Sequence, residues 1–276
     1  ATIDDDYEGR RIAGLAQDMQ FDVSLAPDYD DLPEGMTDEA RRDWIYGRFI
    51  RDRWRTMVGV DENVGRVLDW LDENSRADDT LVIYTSDHGY FLGEHGWYDK
   101  RFMYDPAIRI PFVARCPTES AVGHVASEMV MNVDVAPTIL DFAGVEIPPT
   151  VQGRSLRPLM AASAPDDWRQ EVYYAYYEDS WRLRDTDIDQ MAEPGFKYFT
   201  PHRIGPHRGI RTASHKLIEY LGEVDDAGRP LPYWEFFDLV ADPDELDNRY
   251  DDPDCAQTIA DLRQRLRELQ VEYGDR

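Results

Sequence analysis

TLVIYTSDHGYFLGEHGWYDKR, residues 80–101, is where a hydrophobic run stops abruptly at a set of polar groups. Thr80 to Thr85 is short, apolar and rich in β-formers, which reads as a buried parallel strand. A long helical segment and the turn Arg76-Ala77-Asp78-Asp79 precede it, so the three together make half of a βαβ unit. Ligands in open α/β sheets gather beyond the carboxyl ends of strands, and Asp87 and His88 sit at such an end. Asp87 is a hard oxygen ligand, and His88 can ligate a metal or donate a hydrogen bond. Two ligands are too few for a metal site, so partners must come from elsewhere. The plainer reading of the pair is turn or cap residues. Gly89, Gly93 and Gly96 then allow tight turns and close backbone approach. Lys100 offers a compact, movable charge suited to an oxyanion, or else is a solvated surface lysine. The plain role for His95 is to hold the loop together.

Working outward, a helix is expected from about Asp38 to Asn74, with Ile50, Trp54, Met57, Val64, Leu68 and Leu71 spaced by threes and fours. Asp61 falls in the one gap of that stripe. It reads as a buried carboxylate bonded to its neighbours, or as a group supporting a nearby site. Ile110 to Arg115 is a second strand, and Val133 to Ala143 a helix with Asp134 near its N-cap and Pro137 in its first turn. Residues 152–160 read as a loop leading into a short helix. Composition turns to Ala, Ser, Pro and Asp near 161–167, which places a boundary between portions 1–165 and 166–276. Beyond it, 171–178, 208–214, 215–221 and 234–240 read as antiparallel strands, and Cys255 to Tyr273 as an amphipathic helix with Ile259, Leu262, Leu266 and Leu269 inward. The fold class is α/β with a small C-terminal antiparallel subdomain.

The 276 residues are 42% hydrophobic, enough for a sizeable core. Acidic residues outnumber basic ones 56 to 30, for a formal net charge of −26. That surface repels phosphate backbones and disfavours nucleic acid as a partner. Lysine occurs only at 100, 197 and 216. An acidic, lysine-poor surface suits a salty environment. Cys116 and Cys255 lie far apart in sequence and do not reveal the compartment. No window reaches the apolar length of a membrane span, and the N-terminal ATIDDDYEGRR does not read as a signal peptide.

Several co-linear segments carry a family likeness. SDHG (86–89), LGEHG (92–96), DKR (99–101) and IPFVARCP (110–117) resemble the sulfatase family of the alkaline-phosphatase-like superfamily. VDENVGRVLDWL (60–71), NVDVAPTILDFAG (132–144), VQGRSLRPL (151–159), HRGIRTASHKLI (207–218) and WEFFDLVADPDELDN (234–248) extend the resemblance over most of the chain. DKR and HRGIRT look most like N-acetylglucosamine-6-sulfatases and related sugar sulfatases. The resemblance implies a partial α/β/α catalytic domain over 1–165 and a C-terminal subdomain over 166–276. It implies that Asp87 and His88 bind calcium, with magnesium as the variant, and that Lys100 contacts the sulfate. The role of His88 rests on the resemblance alone, since calcium favours oxygen ligands. Arg101, His95 and His207 become substrate contacts. Tyr173, Tyr174, Tyr176, Tyr177, Trp181 and His202 surround them in sequence, although alternating tyrosines also read as packing. Sulfated sugars or other sulfate esters are the implied substrates, and a periplasmic or secreted location follows by the same likeness.

The family makes a formylglycine from Cys or Ser in a Cys/Ser-x-Pro/Ala-x-Arg motif, and this chain has none. Cys116 is followed at once by Pro117, Cys255 by Ala-Gln-Thr, and Ser163 has Asp167 where Arg is needed. Asp4-Asp5-Asp6 reads as solvated surface, and no His precedes His88. The resemblance therefore implies that the family's N-terminal half, with the nucleophile and remaining metal ligands, lies outside this chain, leaving it inactive alone. A phosphoryl or phosphonate hydrolase of the same superfamily, and a non-catalytic acidic module, are the competing expectations. A sheet cut in this way should expose an edge and one face.

Overall fold

The computed structural model describes residue 29 and residues 31–177, 206–221 and 233–275. Asp4-Asp5-Asp6, Trp181, Lys197 and His202 lie outside the described residues. The chain forms two compact units, one of residues 1–51, 88–109 and 173–276, the other of residues 52–87 and 110–172.

Helix α1 (Asp38–Glu73) starts in the first unit and continues through the second. Thr37 caps it by accepting from Ala40 N at 3.2 Å, and Asp38 and Glu39 put negative charge at the positive end of the helix dipole. It ends at Ser75, whose φ of 53° leaves the helical region. In the first unit, Ile45 and Phe49 are its buried residues, packed with Tyr46, Tyr90 and Tyr98.

The first unit is organised around a sheet covered on both faces. Strands β5 (Glu171–Tyr176), β6 (His207–Thr212), β7 (His215–Tyr220) and β8 (Tyr233–Asp238) lie in that order. Strands β6–β7 and β7–β8 pair antiparallel, with Gly209 opposite Ile218 and Ile218 opposite Glu235. Alternation along each strand sends Ile210, Leu217 and Phe236 to one face, against Ile259, Leu262, Leu266 and Leu269 of the terminal helix α5 (Ala256–Tyr273). All four positions of that helical stripe are buried, as the spacing predicts. Each such side chain contributes about 1.5–3 kcal/mol on burial. Gly274, at φ 68°, stops the helix in the left-handed conformation that glycine adopts freely. The other face carries Ile218, Tyr220 and Phe237, packed on Phe91, Trp97, Phe102, Met103 and Tyr104. These five belong to the opening stretch and the residues just after it. The same stretch holds the two-residue pair β2 (Phe91–Leu92) and β3 (Tyr98–Asp99) and leads to the short helix α2 (Asp105–Ile108).

In the second unit, β1 (Val82–Thr85) pairs with β4 (Phe112–Arg115). The pairing is antiparallel, with Val82 opposite Arg115 and Thr85 opposite Phe112, which corrects the parallel strand expected from the apolar run. The physical reason lies in the connection. The chain leaves β1 at Thr85 and enters β4 at its partner Phe112, so both ends of the excursion meet at one end of the pair. Run length and β-propensity carry no information about that return. The strand is also half-buried, not buried.

Helix α3 (Val135–Phe142) follows a 3₁₀ turn at Asn132–Asp134. Asp134 is fully buried but does not cap that helix through its side chain. It accepts from Met131 N at 2.7 Å and Arg154 N at 2.8 Å, and pairs with the Arg169 guanidinium. Leu156, Leu159 of α4 (Arg157–Met160) and Trp168 form the unit's small core. Asp61 is exposed, so the reading of it as a buried carboxylate does not hold. Among the described residues no helix is long and apolar enough to cross a membrane.

Candidate active site

The β6–β8 face that meets the opening stretch is polar as well as apolar. The alternation that buries Ile218 and Phe237 there also places His207, Gly209, Arg211, Lys216, Tyr220 and Glu235 on that side, with His207 opposite Tyr220 and Arg211 opposite Lys216. Gly209 is required for the close approach: a Cβ there would overlap Met103 Sδ and the Leu217 carbonyl.

The loop from 93 to 99 is tightly wound. Gly93 and Gly96 have φ of 119° and 70°, and His95 and Asp99 also take positive φ, at 60° and 77°. Non-glycine residues in that region store strain, which tends to collect at functional sites. A Cβ on Gly93 would come within 2.7 Å of the Tyr46 ring. Leu92 N donates to Glu94 Oε2 at 2.5 Å, which closes the turn.

Arg101 and His207 are brought together through Tyr176. The Arg101 guanidinium hydrogen-bonds to Tyr176 and to Asp99 Oδ2, the latter at 3.2 Å. Burial alone would lower its pKa, but these two partners outweigh burial and raise it, so the cation persists at all working pH values. Tyr176 stacks on His207 with centroids 5.2 Å apart, and Tyr174 and Tyr220 pack on the same ring at 5.6 and 5.2 Å. His207 is fully buried. Burial pushes the Tyr174 phenol up to about 12, so it stays protonated.

Lys100 sits half-buried between buried Asp99 and half-buried Arg101. His95 is 3% exposed. Its ring faces Phe91, Trp97 and Tyr104 at 5.3–5.8 Å, an environment of core packing. Of the neighbouring tyrosines, Tyr173 and Tyr177 both donate to Asp275, near the end of α5.

The two candidate metal ligands, Asp87 and His88, follow one another in the chain. His88 Nδ1 lies 2.7 Å from Gly89 O. A carbonyl only accepts, so Nδ1 carries the proton, and in the neutral ring the lone pair is on Nε2, the tautomer a ligating histidine needs. The Asp87 side chain is exposed, and its backbone carbonyl accepts from Asn132 Nδ2 at 2.6 Å. Among the described residues no group of three or more His, Cys, Asp or Glu could hold a metal ion. Asp87 offers a carboxylate and His88 an imidazole nitrogen, both donor types that metals take, though a calcium ion favours oxygen.

One cluster escaped the sequence reading. Asp105 receives Arg211 Nε and Nη2 at 2.9 and 2.8 Å and Lys216 Nζ at 2.7 Å. Its backbone N–H donates to Glu245 Oε2 at 2.6 Å, and Glu245 pairs with Lys216 in turn. Lys216 and Glu245 are fully buried. Burial would raise the Asp105 carboxyl, but Arg211 and Lys216 win and hold it well below the carboxylate range. Burial pushes Glu245 up, with Lys216 pulling against it. The available signal was the rarity of lysine, which singled out Lys216 as much as Lys100. The four residues span positions 105 to 245, so no local pattern joins them.

Residues 93–187 and 188–272 match the family model described as N-sulphoglucosamine sulphohydrolase, C-terminal. An N-acetylglucosamine-6-O-sulfatase of Bacteroides thetaiotaomicron is 35% identical over the whole of this chain, which spans 52% of that relative. The solved structure of BT4656 in complex with its substrate D-glucosamine-2-N,6-O-disulfate is 34% identical, with a TM-score of 0.81 over 100% of this chain and 59% of that one. The phosphonate monoester hydrolase SpPMH from Silicibacter pomeroyi is 30% identical, with a TM-score of 0.70 over 96% of this chain and 49% of that one. The fold is therefore that of the alkaline-phosphatase-like sulfatases, and the chain belongs to the sulfatase family, of which it represents the C-terminal portion.

Proposed function

We propose that this chain is the C-terminal portion of a formylglycine-dependent sulfatase that hydrolyses sulfate esters of sugars. The observation that carries the reading is the match of the whole chain to an N-acetylglucosamine-6-O-sulfatase. In this reading Lys100 holds a sulfate oxygen as a point charge. Asp87 and His88 hold calcium, whose chemistry when bound is to stabilise negative charge on the sulfate. Arg101 and His207 line the leaving-group side, Arg101 as a fixed cation and His207 as a ring oriented by tyrosines. His95 acts with them by shaping the loop. Portion 1–165 belongs to the catalytic domain and portion 166–276 to the C-terminal subdomain.

The nucleophile and the other metal ligands come from the remainder of the relatives' length. The exposed apolar residues Trp54, Met57 and Val58, on one side of α1, and Val67 and Trp70, on another, support that reading, since such residues are costly to leave in water. In a polypeptide of the relatives' full length, Lys100→Ala should lower kcat/KM for a 6-sulfated N-acetylglucosamine by about 10²–10³, the loss typical of one transition-state charge contact. An unchanged kcat/KM would remove Lys100 from the site. His207→Ala should raise KM or lower kcat for the same sugar.

The likeness to a phosphonate monoester hydrolase supports a second reading, in which a phosphonate ester replaces the sulfate. Turnover of aryl sulfate against aryl phosphonate by the same full-length polypeptide separates the two.

A further inference from the structure

The buried charge cluster is expensive for what it returns in stability. Apolar residues of similar volume commonly do as well as buried ion pairs or better, so the geometry of this network, not its energy, is where a role should be sought. Its geometry supplies one. Asp105 opens α2 and is held by its side chain to Arg211 of β6 and Lys216 of β7. Its backbone is held to Glu245, a non-glycine residue at φ 56° in the turn beyond β8. Three separate segments of the sheet unit therefore fix one end of a four-residue helix.

That helix touches the opening stretch on both sides. Gly89, next to His88, donates its N–H to Ala107 O at 2.7 Å. A Cβ on Gly89 would overlap the Pro106 carbonyl, so the residue that follows His88 is packed directly against the α2 backbone. In the other direction, Phe102, Met103 and Tyr104 lead back from Asp105 and are all buried. Tyr104 OH donates to Glu235 Oε2 at 2.5 Å, which adds a tie to β8 itself. Lys100 and Arg101 are left as two half-buried residues between buried Asp99 and this anchored run.

We infer that Asp105, Arg211, Lys216 and Glu245 form the positioning device of the candidate active site, fixing α2 and through it both His88 and the Lys100–Arg101 pair. The inference rests on the proposed function only for what Lys100 and His88 then do.

The test uses the chain labelled with ¹³C,¹⁵N-lysine, which contains just three lysines, 100, 197 and 216. Asp105→Asn keeps the shape and removes the charge. It should shift or broaden the Lys100 side-chain resonance while that of Lys197 stays. Amide exchange at residues 100–104 should rise by about tenfold or more over exchange in β6 and β7. A purely stabilising network would move the Lys216 resonance and speed exchange everywhere alike, leaving Lys100 in place, and that outcome overturns the inference. Arg211→Lys keeps the charge but loses the planar two-pronged contact, and carries the same readout should Asp105→Asn not fold. Titrating wild-type chain with inorganic sulfate tests the other reading separately. A Lys100 resonance that ignores sulfate counts against the proposed role of Lys100 and leaves the positioning result standing.

Discussion

Phe102 and Trp70 are both large aromatic residues, and the chain treats them oppositely. Phe102 is 2% exposed, packed on Trp97 at 4.7 Å and on His207 and Tyr220. Trp70, on the part of α1 in the second unit, is 57% exposed, and so are its neighbours in type, Trp54 at 68% and Val67 at 57%. In the first unit a sheet is covered on both faces, by α5 on one and the 91–104 segment on the other. In the second, a two-stranded pair and a helix face find no comparable cover among the described residues. Among the described residues, the first unit's sheet is therefore the better covered of the two. In the second unit, Trp54, Val67 and Trp70 of α1 stand exposed instead.

The contrast can be broken most strongly at Lys216. Lys216→Met leaves Asp105 and Glu245 buried with less compensation, and should cost about 3–5 kcal/mol in urea unfolding monitored on the first unit. A loss below about 1 kcal/mol would mean that water reaches the network. Gly209→Ala comes next, because the new methyl overlaps Met103 and a backbone carbonyl. It should cost about 1–3 kcal/mol and loosen the Phe102–Tyr104 run.

Acid should act on the same unit more gradually. The folded-state pKa of Asp105 is depressed, so its stabilisation is fully present above the ordinary Asp value of about 4 and is lost as pH falls below that. Glu245 is shifted the other way and offsets part of the loss. Asp105→Asn should flatten the decline of Tm below about pH 4. An unchanged slope would assign the acid sensitivity to other carboxylates.

Trp70→Gln should do least to stability, about 0.5 kcal/mol or less, as at other exposed positions. It should also weaken self-association of the isolated chain in sedimentation. A core-sized destabilisation would show that the chain itself covers Trp70.

Legibility in the sequence followed the same division. The terminal helix and the four strands of the first unit came through within a few residues, because alternation and a Leu/Ile stripe report burial directly. Asp87, His88 and Lys100 stood out at a strand end and in a glycine-rich loop. The β1–β4 orientation did not, because a short apolar run is compatible with either direction. Asp61 is not buried because a gap in an apolar stripe implies burial only where the stripe is covered, and here the preceding stripe residues Trp54 and Met57 are exposed. The Asp105 network was invisible because its four members meet only after the sheet has formed. Arg101 and His207 join through Tyr176 for the same reason.

The central claim is that this chain supplies the sulfate-facing lysine and two metal ligands of a sulfatase but no nucleophile. Its most direct test is hydrolysis of an aryl sulfate by the purified chain with calcium, alone and joined to the remainder of a full-length relative. The account predicts no turnover by the chain alone and turnover by the joined protein that is lost with Lys100→Ala. Turnover by the chain alone would contradict it.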